Sequence, residues 1–173
     1  MLQLVYAFVE IALHRRGPDQ LPKSQFLFWL TLLASLAVSL FVAQFATIPP
    51  ERVVPMVAVD TGLTVGFAWC VLKAFGVERR FLQTASALLG MSAFLELLEL
   101  PFVLWHRALH APVDTATVPY VIYLVIALGW WNDVASFVIS RAIERPYVLG
   151  LAVVIGYTLF AVSVDVTLFY TPK

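Results

Sequence analysis

Apolar residues run through this chain in long blocks separated by short clusters of proline, glycine and charge. Five blocks reach the roughly 20 residues that a membrane-crossing helix needs. They are Phe26–Ala46, Val53–Phe75, Phe81–Trp105, Val118–Ile139 and Tyr147–Tyr170. Between them stand Pro49-Pro50, Gly76 with Glu78, Arg79 and Arg80, Pro112 with Asp114, and the stretch from Arg141 to Pro146. These residue types end helices and make tight connections. The pattern predicts an all-α integral membrane bundle of five transmembrane helices.

The opening stretch MLQLVYAFVEIALH is too short to span. Gln3, Glu10 and His14 fall near one helical face, with Leu2, Val5, Val9 and Leu13 largely elsewhere. Such a helix lies in the membrane surface. Residues 1–25 therefore read as an N-terminal interfacial amphipathic helix with a cytoplasmic linker, and residues 26–173 as the five-helix transmembrane domain. A cleaved secretory signal is not expected, because Arg15 and Arg16 follow the apolar stretch instead of preceding it. Nor does RRGPDQLPKS fit a twin-arginine signal.

Composition narrows the class further. Of the 173 residues, 61% are hydrophobic and 13% charged, against about 45–50% and about 25% in ordinary soluble domains. A chain this short cannot hide so much apolar surface in one aqueous core, and a disordered chain needs the opposite composition. Net charge is zero, and no basic, aromatic-interleaved stretch points to nucleic acid. The partners implied are the lipid bilayer and a second copy or another membrane protein.

Lysine and arginine set the orientation, since cytoplasmic loops carry their excess. Taking alternate connections together, 8 of these residues fall on the N-terminal side and 3 on the other. The N-terminus is expected in the cytoplasm and the C-terminus outside, periplasmic in a bacterial inner membrane.

The second span carries Ala58, Gly62, Gly66, Cys70 and Ala74, each four residues after the last. Small residues at that spacing form one face along which helix backbones approach closely. The stripe is expected either as a groove for a neighbouring span or as a homodimer seam. Cys70, unable to form an internal disulfide, reads as a small buried packing residue.

Five carboxylates lie inside the spans: Asp60, Glu96, Glu99, Asp133 and Asp165. No lysine or arginine lies within the span interiors to pair with them, and a charge at mid-membrane costs about 2.5 kcal/mol or more. At about 1.5 Å per residue, Glu99 lies about 9 Å and Glu96 about 14 Å below Trp105. Asp60 sits at a similar depth and Asp165 shallower, so these four fall in the outer half of the membrane and Asp133 in the inner half. An intramembrane acidic pocket of Asp60, Glu96, Glu99 and Asp165 is expected, either to bind protons or cations or to hold the bundle together through interhelical hydrogen bonds. Pro101, just past the pair Glu96 and Glu99, is expected to open the helix there.

Other chemistry is sparse. His106, His110 and Asp114 are spaced by four, as in some helical zinc sites, but two interfacial histidines explain them and no metal is expected. Trp130, Trp131, Asn132 and Asp133 make the most polar break in the fourth span and read as packing or pocket lining. No GxSxG, HExxH, P-loop or glycine-rich dinucleotide fingerprint occurs. No catalytic residue and no cofactor is expected, and the chain reads as non-enzymatic.

Two stretches carry a resemblance: RFLQTASALLG leading into the third span and SRAIERPYVLGLAVVIGY leading into the fifth. With five spans and the N-terminus inside, the chain over residues 20–170 resembles the Yip1-like family of small membrane proteins. The resemblance implies a non-enzymatic protein that acts through a protein partner in scaffolding, assembly or trafficking. The long cytosolic region and Tyr-Gly-Pro motif of the eukaryotic members are missing, which points to a bacterial inner membrane. The alternative is a small proton- or cation-coupled carrier using the acidic pocket, although no inverted repeat of the kind many carriers show is evident.

The orientation is testable. A reporter active only in the periplasm should work when fused after Lys173 and stay silent after Gly76. Activity confined to the Gly76 fusion would reverse the topology.

Overall fold

The computed structural model describes residues 2–45, 48–108 and 113–170, with side chains described for 6–45, 48–105 and 121–170. Six α-helices follow one another: α1 Leu2–Ala12, α2 Gln25–Ala43, α3 Pro50–Ala74, α4 Phe81–Ala108, α5 Val113–Ile143 and α6 Tyr147–Asp165. A π-helical turn, Val166–Tyr170, extends α6. Five helices are long and apolar enough to cross a membrane. The chain is an all-α membrane bundle, without strands among the described residues.

Local chemistry sets the ends. Ser24 caps α2 by accepting a hydrogen bond from the Leu27 amide at 3.3 Å, and Pro50 opens α3 where its missing N–H is not needed. Gly76, at φ 69°, takes the left-handed conformation that closes α3 and lets the chain turn into α4. Arg80 at the start of α4 reaches the end of α5. It donates to the Ala142 carbonyl at 2.8 Å and pairs with Glu144, satisfying carbonyls that α5 leaves unpaired. Pro101 does not open α4; the helix runs through it to Ala108.

α4 is the central helix. Every residue from Gln83 to Met91 is buried, a run made mostly of small residues, and α1, α2, α3 and α5 all pack on this helix. Small side chains there let the neighbours come close, which is how helices associate in lipid. Around it close Ile11 of α1, Leu72 of α3, Val134, Val138 and Ile139 of α5, and Val154 of α6, all fully buried.

The first helix is more than an interfacial float. Ala7, Phe8, Ile11 and Ala12 are buried against the bundle, and the Phe8 ring lies over Gly90. Trp130 Nε1 donates to the Ala12 carbonyl at 3.3 Å. Glu10 and Arg16 pair on its outer side at 3.3 Å. Gln83 ties the linker down by donating to the carbonyls of Asp19 and Leu21.

The small-residue stripe corrects one expectation. Ala58, Gly62, Gly66, Cys70 and Ala74 are all exposed, and nothing lies within 4 Å of where a Cβ on Gly62 or Gly66 would stand. Among the described residues, no helix of the same chain fills a groove there. The reason is that α3 turns a different face inward, carried by Val53, Val57, Ala68 and Leu72. Cys70 is likewise outward-facing rather than a buried packing residue.

Packing is dense near the α3–α4 and α5–α6 turns and loose toward the other end. There α4 exposes Leu97, Leu98, Phe102 and Trp105, and α5 exposes Val121, Ile122, Val125 and Ile126. The close approach of α5 and α6 at the dense end is testable. A Cβ on Gly150 would stand 2.5 Å from the Ser136 carbonyl oxygen and 2.9 Å from the Ser140 Cβ. Backbone cannot yield as a side chain can, so Gly150→Ala should destabilise the purified protein by about 1–3 kcal/mol. Gly156→Ala on the same helix meets nothing within 4 Å and should leave the melting temperature unchanged or raised.

Candidate functional site

The loose half of the bundle encloses a cavity of about 470 Å³. Asp60 from α3, Glu96 and Glu99 from α4, and Asp165 from α6 all line it. These are the four carboxylates expected together from their depth along the spans, and they come from three helices. Asp133 is elsewhere, hydrogen-bonded to the Tyr147 hydroxyl at 2.5 Å and 3.4 Å from His14 Nε2.

Each helix supplies its acids for a local reason. On α4, Glu96 and Glu99 stand one turn apart and share a face, and this face turns toward α2, where Ser39 Oγ donates to Glu96 Oε2 at 2.6 Å. On α3, Asp60 lies on the side opposite the exposed stripe's outermost positions, near α6. The carboxyls of Asp60 and Asp165 lie beside one another across α3 and α6. Among the described residues, Asp165 Oδ1 is buried with no hydrogen-bond partner. Arg52 at the start of α3 donates to the Phe169 carbonyl, which ties α3 to the π turn just after Asp165.

Hydroxyl and aromatic groups complete the wall. Thr64 donates to the Asp60 carbonyl at 2.9 Å, so its oxygen is left to accept from the Tyr157 hydroxyl at 3.0 Å. Tyr157 also stacks on Phe67, with centroids 4.2 Å apart. Trp131 Nε1 donates to Ser92 Oγ at 3.0 Å, and Thr158 donates to Asn132 Oδ1 at 2.8 Å. Ser35, Thr61 and Ser92 add further hydroxyls. Among the described residues, no lysine or arginine lines the cavity.

The hydroxyls were not singled out from the sequence. Their signal was there: Ser35 and Ser39, Asp60 and Thr64, Ser92 and Glu96 each stand four residues apart in otherwise apolar helices. Such spacing puts polar groups on one face, and in a membrane helix that face turns away from lipid.

The chemistry this arrangement allows is binding of positive charge. Among the described residues, no three His, Cys, Asp or Glu side chains converge on a point where they could hold a metal ion. The carboxylates are instead spread over a cavity with room for a ligand larger than a bare ion. The side chains of His106 and Asp114, and all of His110, lie outside the described residues.

No family model, curated protein or solved structure matches the chain.

Proposed function

We propose that this protein is a small membrane carrier that takes up protons or a small organic cation in its acidic cavity. One observation carries the reading: four carboxylates from three helices face a single cavity that, among the described residues, no lysine or arginine lines. Burying carboxylates without partners is costly. A purely structural pocket would need far fewer of them, since one protonated acid per helix pair suffices for an interhelical hydrogen bond. The size of the cavity and its Trp131 and Tyr157 walls favour an organic cation over a closely ligated metal ion, because aromatic faces attract cations.

The loose packing of the outer half supports the same reading. A carrier must let its ligand in and out, and the elements that move are drawn from the less tightly packed parts of a fold. Here the dense core around Gln83–Met91 forms a floor, and the cavity lies toward the other end of the helices.

The test uses the whole chain in proteoliposomes, with a pH-sensitive dye to follow protons and ethidium as a fluorescent organic cation. Wild-type protein should pass one or both well above empty vesicles. Glu96→Gln and Glu99→Gln should abolish the flux in a protein that still folds, because an amide keeps the shape and hydrogen bonding of a protonated acid but cannot release a proton or pair with a cation. No flux from the wild type, or unaltered flux in both variants, would exclude the carrier reading.

A second reading has its own observation. In a Yip1-like role the chain would act through a partner or as a homodimer, and the uncovered face of Ala58, Gly62, Gly66, Cys70 and Ala74 supports contact with another helix. A Cβ at Gly62 or Gly66 would meet no atom of the described chain within 4 Å and both positions are exposed, so folding should survive Gly62→Leu and Gly66→Leu. Crosslinking in native membranes should then lose its dimer or partner band. Unchanged crosslinking in both variants would remove this face from the account.

A further inference from the structure

In the loose half of the bundle, α4 and α5 are tied together at two levels. At one, Trp131 Nε1 donates to Ser92 Oγ at 3.0 Å. At the other, the Phe102 and Tyr123 rings stack with centroids 3.9 Å apart. From Ser92 to Phe102 the helix rises about 15 Å, at about 1.5 Å per residue.

Between these levels lies a cavity of about 340 Å³. Ser92, Glu96, Glu99, Leu128 and Trp131 line it, and the same residues line the acidic cavity. Its remaining walls are Leu95, Leu124 and Ala127. Leu95 and Ala127 also line a groove of about 540 Å³ on their other side. That groove belongs to the lipid-facing surface, because Leu98, Phe102, Ile122 and Ile126 line it and all are exposed. The three spaces follow one another from this surface to the carboxylates, and Leu95 and Ala127 stand where groove and cavity meet.

The chemistry changes along this line. The groove is walled by aliphatic side chains and aromatic rings, and the middle cavity adds the two glutamates. The last space holds four carboxylates beside the Trp131 and Tyr157 rings. A compact, hydrated cation would have to shed its water against leucine before meeting an acid, which is costly for a concentrated charge. A cation with a large apolar body keeps that body against Leu95, Leu98 and Leu124 and gains by leaving water.

We infer that the gap between α4 and α5 is a lateral window through which amphiphilic aromatic monocations pass from the bilayer into the acidic cavity. The window rests on the cavities themselves, whereas its substrate class rests on the carrier reading and sharpens it. The ligand is a flat, delocalised cation taken from the membrane, not a small ammonium taken from water. Glu96 and Glu99 are the first negative groups it meets, and the Trp131 and Tyr157 faces receive its rings behind them.

Two measurements on the full chain in proteoliposomes separate the window from the carrier. The first reads the window without any transport. Pyrene maleimide, which dissolves in the bilayer, should label the Cys70→Ser, Glu99→Cys double variant. Adding Ala127→Trp should slow that labelling about tenfold, the effect of about 1.4 kcal/mol on a barrier. The native thiol of Cys70 is exposed on α3, so its labelling should not change with Ala127→Trp in a protein that still folds. The second measurement reads the substrate. Wild-type flux of ethidium should exceed that of tetramethylammonium about tenfold, and Ala127→Trp should remove the difference. Labelling of Glu99→Cys that Ala127→Trp leaves unaltered would overturn the window, whatever the flux. Equal flux of the two cations through the wild type would overturn the substrate class. No flux of either would remove the carrier reading and the substrate class with it, and the labelling alone would then decide the window. Should Ala127→Trp fail to fold, Leu124→Trp takes its place, from a position on the same wall that is already 39% exposed.

Discussion

A carboxylate inside a membrane has few places to go. Water cannot reach it through hydrocarbon, and the cost of leaving it against lipid is several kcal/mol. This chain places five of them in its span interiors with no lysine or arginine among them, so the helices must turn these side chains toward one another, toward hydroxyls, or toward something that enters from outside. Much of the arrangement follows from that constraint. Four acids meet in one cavity, and the fifth, Asp133, finds Tyr147 and His14 outside it.

The constraint also explains why the bundle is packed unevenly. Where α4 runs through mostly small residues from Gln83 to Met91, its neighbours close on it and bury every residue. Where it carries Glu96 and Glu99, the neighbours stand back, and α2, α3 and α6 contribute Ser39, Asp60, Thr64 and Asp165 to the space between. Dense packing at one end gives the acids a fixed frame, and the loose end gives them access. Trp131 links the two regimes: it lines the cavity and is held by Ser92 of α4, while its neighbour Trp130 holds the end of α1.

The five spans were legible because a membrane helix needs a long apolar run and nothing else in this chain provides one. The acids were legible for the same reason, since any ionisable residue inside such a run stands out. Their common depth, counted from Trp105 and Val53, pointed to one pocket. The interior face of α3 was not legible. Its stripe of small residues repeats every four positions as a packing face should, yet Val53, Val57, Ala68 and Leu72 took the interior instead. In lipid both kinds of face can be buried, and periodicity alone cannot say which side the acids will pull inward; Asp60 and Asp165 settle it by drawing α3 and α6 together. Nor could the continuity of α4 through Pro101 be read locally, because neighbouring helices stabilise what a proline disrupts.

The central claim is that α3, α4 and α6 turn their acids into one shared space. Thiol crosslinking of the full chain in membranes tests it directly, with Cys70→Ser removing the native thiol. Asp60→Cys with Asp165→Cys, and Ser39→Cys with Glu96→Cys, should each join through a short bifunctional reagent, whereas Asp60→Cys with Asp133→Cys should not. Failure of both expected pairs in a protein that still folds would contradict the account.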